Sequence, residues 1–547
     1  MAQAVAIAPA VPAREPDAVS VPAASEAKAR TETGTKEGGG LGNKWWVLVA
    51  SVFGVFVVAL DTTIVTIALP KLQTVFGADV HQIQWVVTAY SLAQAVSIPL
   101  TGWAADRFGI KRVYMLALVV FTIGSLLCGV AWNTGSMVAF RALQGLGGGP
   151  LQPLSLALIF LAFPPKERGL ATGIFGIPIL FAPALGPTLG GYIVQHLTWP
   201  VIFYLNAPVG ILGLILCWRV LRERIARPGA QLDLPGFLLV ASGLVLVLYA
   251  LANGAYDGWG SLHIRGTVAL GLLLLILFVR VELRARAPLL DLRLFRNGGF
   301  TAGALVLWLT FMGLYAAAFL LPEYFVGLRG LQPFNTGLLL LWQAVATLVV
   351  APLAGGLLIN RTGPRPLLVV GMILLAVTSW QIAWLCTTGS AYGSFVAPLV
   401  LRGIALGLLI VPANIAVIGS VSREQTTGAT ALSNVGTQVA IAIFVAVLVT
   451  VLQNSPTQHA AHLSEEVTPG NPAVVTMVDR LTTQGLPRAA ARQQVVGMLY
   501  GQIQQEAAAM AFRDALIGAL FAAVPGIALA FLVRRPREDA EAGGLAL

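Results

Sequence analysis

The residue with the most to explain is Asp61, one carboxylate inside the apolar run FVVALDTTIVTIALPKL at positions 56–72. In lipid such an acid costs roughly 2.5–3.5 kcal/mol on insertion scales, so it is kept for a use. Two uses fit: hydrogen bonding to neighbouring helices, or binding a proton or a cation. Low polarity favours the protonated form of an acid, and a nearby cation favours the ionised form. A carboxyl facing a chamber can therefore hold a proton and a cationic cargo in turn, never together. Arg141 is the other early charge within an apolar run. If its separation from Asp61 changes between two states, it alters the acid's hold on its proton. The alternative is a structural arginine reaching to the outer interface.

Other candidates surround these two. Gly102, Asp106, Arg107, Gly109, Lys111 and Arg112 fall in the short segment GWAADRFGIKR. Its charges are either solvated or form a latch, in which Asp106 pairs with an arginine or caps a helix terminus in one state only. Glu323, in LLPEYF, is a second acid near a span end. Trp308, Phe311, Trp342, Gln343 and Gln438 could line a chamber, although aromatic residues in spans commonly pack against neighbours. Cys128, Cys217 and Cys386 are far apart in sequence and support neither a disulfide framework nor a metal knuckle. His459 and His462 are three apart but lack further ligands nearby.

The elements that must position these residues are membrane helices. Hydrophobic residues make up 57% of the chain and charged residues 11%, against about 25% charged in soluble domains. Fourteen apolar stretches are long enough to cross about 30 Å of hydrocarbon. Six lie between 45 and 219, two near 234–254 and 265–283, and six between 300 and 533. The expected architecture is an all-α membrane protein with two six-helix bundles, 44–220 and 299–534, and two inserted helices within 221–298. Tails at 1–43 and 535–547 read as cytoplasmic, the former as disordered. A segment at 454–510 falls outside, with Val495, Leu499 and Ile503 in one amphipathic stripe that either lies on the membrane surface, caps the mouth or merely connects. Lys and Arg concentrate in alternate loops, as in 107–112, 219–227, 280–296 and 361–365, which sets those loops and both termini on the cytoplasmic side. The formal charge of +10 is thereby topogenic and does not call for nucleic acid.

The halves echo each other. Gly102, Asp106, Arg107, Gly109 and Lys111 match the spacing of Gly356, Asn360, Arg361, Gly363 and Arg365, and Arg141 finds its echo in Arg402. Duplicated six-helix units with a site between them recur among secondary transporters.

LDTTIVTIALP, GWAADRFGIKR, RALQGLGGG and GPTLGG resemble the motifs of the major facilitator superfamily. FYLNAPVG, LLDLRLFR and the two extra central spans resemble its fourteen-spanner drug:proton antiporter family. The resemblance implies efflux of hydrophobic, often cationic, compounds across the bacterial cytoplasmic membrane in exchange for protons. It implies no enzymatic chemistry and no cofactor beyond the proton gradient. Some relatives work with a periplasmic adaptor protein. Proton coupling falls to Asp61 and Arg141, and an antiporter helix motif to Gly173, Gly186, Pro187, Gly190 and Gly191. Thr66, Ala182 and Thr437 depart from the family pattern. A uniporter or an exporter of another small solute shares the fold.

Overall fold

The computed structural model describes residues 44–223, 229, 231–285, 288–422, 425–466 and 472–533. The tails assigned to 1–43 and 535–547 lie outside the described residues. Among those described, the extended elements are helices and no strand occurs. Twelve helices are long and apolar enough to cross a membrane. They are α1 (Lys44–Phe76), α3 (Ile110–Gly129), α4 (Thr134–Ala162), α6 (Val201–Val220), α7 (Leu234–Asp257), α8 (Leu262–Arg284), α9 (Gly298–Leu328), α10 (Phe334–Thr362), α11 (Pro364–Leu385), α12 (Tyr392–Ile418), α13 (Thr426–Glu465) and α15 (Arg488–Leu532). Three more complete the series: α2 (Val80–Phe108), α5 (Pro165–His196) and the short α14 (Pro472–Thr483).

Local chemistry starts and stops these helices. Asp79 Oδ1 accepts the Gln82 N–H at 2.7 Å to open α2, and Asn133 Oδ1 accepts the Ser136 N–H at 2.7 Å to open α4. Each cap satisfies an amide that has no partner within its own helix. Gly109 separates α2 from α3 at φ +91°, and Gly363 separates α10 from α11 at φ +81°. Both are left-handed conformations that favour glycine, so the sequence echo is also an echo of backbone geometry.

Helices α1 to α6 pack on one another as a first set, and α9 to α13 with α15 as a second. The sets meet along two seams. On one, α5 lies against α10; on the other, α2 lies against α13, and α7 packs on both of these. A methyl group on Gly169 would collide with the Gly355 carbonyl, and one on Gly173 would come 2.7 Å from Pro352 Cα. One on Gly102 would come 3.6 Å from Gly428 Cα. The sets are thus in contact at the end that carries the 102–112 segment.

The segment at 454–510 extends the helices. α13 runs on through Pro456, and the stripe residues Val495 and Leu499 pack with Val474, Val478 and Leu481 of α14. His459 pairs with Asp514 of α15, Nε2 to Oδ2, at 2.6 Å.

Candidate functional site

Asp61 has no exposed surface, and three donors converge on it. Arg141 Nη1 reaches Oδ2 at 2.5 Å, Gln144 Nε2 reaches Oδ1 at 2.9 Å, and Asn206 Nδ2 reaches the same Oδ1 at 2.9 Å. Arg141 and Gln144 are three residues apart on α4, so both point from one face. The arginine is itself braced: Nη1 also donates to Gln144 Oε1 at 2.8 Å, Nε donates to the Val86 carbonyl at 2.9 Å, and the guanidinium lies 4.0 Å from the centroid of the Tyr90 ring. Behind Asn206, Ser125 Oγ accepts from Nδ2 at 3.0 Å and donates to the Phe203 carbonyl at 2.8 Å.

Five helices of the first set, α1, α2, α3, α4 and α6, therefore meet at one ion pair. A buried pair survives the loss of water only when its remaining lone pairs and protons find partners, and these do. Every donor around Asp61 points at an oxygen, which is the pattern expected of an ionised acceptor. Protonating Asp61 would cancel its charge and leave Arg141 buried without a counter-ion.

This geometry revises one expectation and sets aside one alternative. Asp61 was expected to face the chamber, but its partners all belong to the first set. Arg141 is 1% exposed and does not extend to an interface, because the acid holds it inside. Sequence reading also passed over Tyr90, Ser125 and Asn206. Asn206 carried a usable signal, since an amide in the apolar stretch FYLNAPVG poses the same question as the acid in α1.

The other candidates divide between the two sets. Gly109 packs so tightly on Glu223 that a methyl there would strike its carboxylate. Arg112 Nε lies 3.4 Å from Glu223 Oε2, and Lys111 Nζ donates to the Trp218 carbonyl at 2.9 Å. These residues tie the 102–112 segment to the end of α6. Gly102 faces Gly428 across the seam, Asp106 is half-buried and Arg107 is exposed. On α5, Gly173 meets α10, whereas Gly186 and Gly190 meet Thr63 and Ile64 of α1. Thr63 Oγ1 also donates to the Ala182 carbonyl at 3.1 Å. Gly191 is half-buried, and the side chain of Pro187 lies outside the described residues.

Between the sets is a cavity lined by Gln152 and Leu156 of α4, Thr172, Phe175 and Gly176 of α5, Leu307 and Phe311 of α9, Ile410 and Asn414 of α12, and Ser433, Asn434 and Thr437 of α13. Amides, hydroxyls and two phenyl rings face it, and its lining carries no charge. Of the expected chamber residues Phe311 is in this wall. Trp308 stands behind it, its Nε1 donating to the Ser433 carbonyl at 3.1 Å. Gln343 and Gln438 are half-buried and Glu323 is exposed on its helix; none of the three is in the wall.

A sequence profile of the Major Facilitator Superfamily matches residues 51–445. The puromycin resistance protein pur8 of Streptomyces alboniger is 34% identical over 464 residues, covering 83% of this chain and 89% of its own. The multidrug export protein EmrB of Escherichia coli is 29% identical over 460 residues, covering 84% and 89%. The tetracenomycin C resistance and export protein of Streptomyces glaucescens is 32% identical over 408 residues, covering 74% and 76%. Among solved structures, the human organic anion transporter MFSD10 (TETRAN) is similar at a TM-score of 0.54 and 16% identity, over 88% of this chain and 99% of that one.

Proposed function

The chain belongs to the major facilitator superfamily, and from that premise we propose that it exports hydrophobic, often cationic, drugs or toxic compounds in exchange for protons. The relatives' names, multidrug export and antibiotic resistance, support the cargo class. The observation that carries proton exchange is the buried Asp61–Arg141 pair with its two amide donors.

The mechanism follows from that pair. With Asp61 ionised, α1, α4 and α6 are drawn together by three hydrogen bonds to one carboxylate. A proton arriving on Asp61 replaces the charge that held Arg141, and the helices it braced are released to move. Cargo in the cavity between the sets is then offered to the opposite face as the two bundles rock. The uncharged, part-aromatic wall suits a lipophilic cargo, and ring faces can accept a delocalised cation. Inward proton flow supplies about 2.3 kcal/mol per charge for each 100 mV of membrane potential. In this reading all fourteen long helices cross the bacterial cytoplasmic membrane and α7 and α8 are inserted between two six-helix bundles. The contact end around Gly102 and Gly169 faces the cytoplasm, with both termini.

The test is transport of lipophilic cations into or out of proteoliposomes under an imposed pH gradient. Asp61→Asn should insert normally yet lose gradient-driven movement down to the protein-free rate. Wild-type transport by that variant would reject the assignment.

A further inference from the structure

Two further acids, half-buried Asp233 and buried Glu282, lie away from Asp61 at the shared base of α7 and α8. Asp233 caps α7, its Oδ1 accepting the Gly236 N–H at 3.0 Å. Glu282, in the last turn of α8 and 1% exposed, accepts the Leu290 N–H on Oε1 at 2.5 Å. Their other oxygens, Asp233 Oδ2 and Glu282 Oε2, are buried and have no hydrogen-bond partner among the described residues. Both orphan oxygens border one spot. A methyl on Gly236 would touch the two of them, with Glu282 Oε2 at 2.8 Å, and the carboxyl groups are within hydrogen-bonding reach of each other.

Two ionised carboxylates offer only acceptors, and like charges this close cannot both persist in an apolar wall. Leu289 and Leu290, beside Glu282, belong to a buried apolar cluster that also holds Val240 of α7 and Phe278 of α8. Among the described residues, the neighbouring cations are engaged elsewhere or face outward. The Arg293 guanidinium donates to the Leu283 and Ala285 carbonyls at 3.1 and 3.2 Å, and Asp291 Oδ1 accepts the Arg293 backbone N–H at 3.1 Å. Arg280 and Arg284, on α8 itself, are exposed.

We propose that Asp233 and Glu282 form a proton-binding site, one oxygen carrying the proton and the other accepting it. A single hydrogen then satisfies both orphan atoms. Through the Leu290 N–H the loaded site also fastens the helix pair to residues 289–296, the segment that leads into α9. Losing the proton sets two anions face to face and loosens this joint. The proposal does not depend on what the protein transports.

Infrared difference spectra of the purified full-length protein at neutral pH test it directly. Wild type should show the carbonyl stretch of a protonated carboxyl, lost in both Glu282→Gln and Asp233→Asn. A band that persists in both variants, or is absent from wild type because water or a cation bridges two anions, overturns the proposal. Melting supplies a second readout. The folded chain holds a proton that the unfolded chain releases near neutrality, so the wild-type melting temperature should fall from mildly acidic to mildly alkaline pH. In Glu282→Gln the amide donates to Asp233 without a proton, and that slope should flatten; an unchanged slope counts against the site.

Discussion

Arg141 and Arg402 hold echoing positions in the two sets of helices and are equally hidden, at 1% and 0% exposure. Their surroundings differ. Arg141 faces a carboxylate and an amide, whereas Arg402 donates from Nη1 to Ser379 Oγ at 2.8 Å and from Nη2 to the Gly313 carbonyl at 2.5 Å, with Nε unpartnered. Ser379 follows Arg361 by the same interval that separates Ser125 from Arg107, yet Ser379 accepts directly from its arginine whereas Ser125 accepts from Asn206. Among the described residues no acid answers Arg402. The duplicated scaffold thus uses a buried guanidinium to tie helices together in both sets, and pairs it with a titratable group in the first set alone.

Replacing each arginine by methionine sharpens that contrast most. Arg141→Met leaves Asp61 buried and unpaired and should cost about 3–5 kcal/mol, whereas Arg402→Met removes a cation that has no counter-ion and should stay within about 1 kcal/mol of wild type. Thermal denaturation of the purified variants measures both, and equal losses would break the comparison. Asn206→Ala removes one of the three donors to Asp61 and should cost about 1.5–3 kcal/mol, the range for hydrogen bonds to charged groups. It should also displace the pH profile of transport; a profile identical to wild type would reduce Asn206 to packing. A further pair of substitutions tests the shared scaffold. A methyl on Gly145 would meet the Tyr90 carbonyl and come 3.0 Å from Ala93 Cβ, and one on Gly403 would meet the Gln343 carbonyl and come 2.7 Å from Ala346 Cβ. Alanine at either site should cost about 1–3 kcal/mol through overpacking. A loss at one position alone would mean that the sets are not packed alike.

Most of the helical plan was legible because lipid leaves a chain few options. Backbone groups must be satisfied within each segment, so an apolar run of sufficient length announces a helix. The glycines were legible as close approaches, but not their partners: Gly173 meets the second set while Gly186, on the same helix, meets the first. Nor did the periodic stripe at Val495 and Leu499 reveal its destination, since a helix surface and a membrane surface ask for the same residues. The pair at Asp233 and Glu282 escaped sequence reading because 49 positions of chain separate them, and only the return of α8 alongside α7 brings them together.

By itself the sequence determined that this chain is helical, is immersed in lipid, is internally duplicated and carries charges in its apolar runs. Those properties follow from composition and spacing, which act along the chain. Only the tertiary structure decided that Asp61 is locked to Arg141, Gln144 and Asn206 within one set, and that no acid among the described residues meets Arg402. Hydrogen bonds act over about 3 Å, so which donor reaches which acceptor is settled by the packing of helices that lie far apart in sequence.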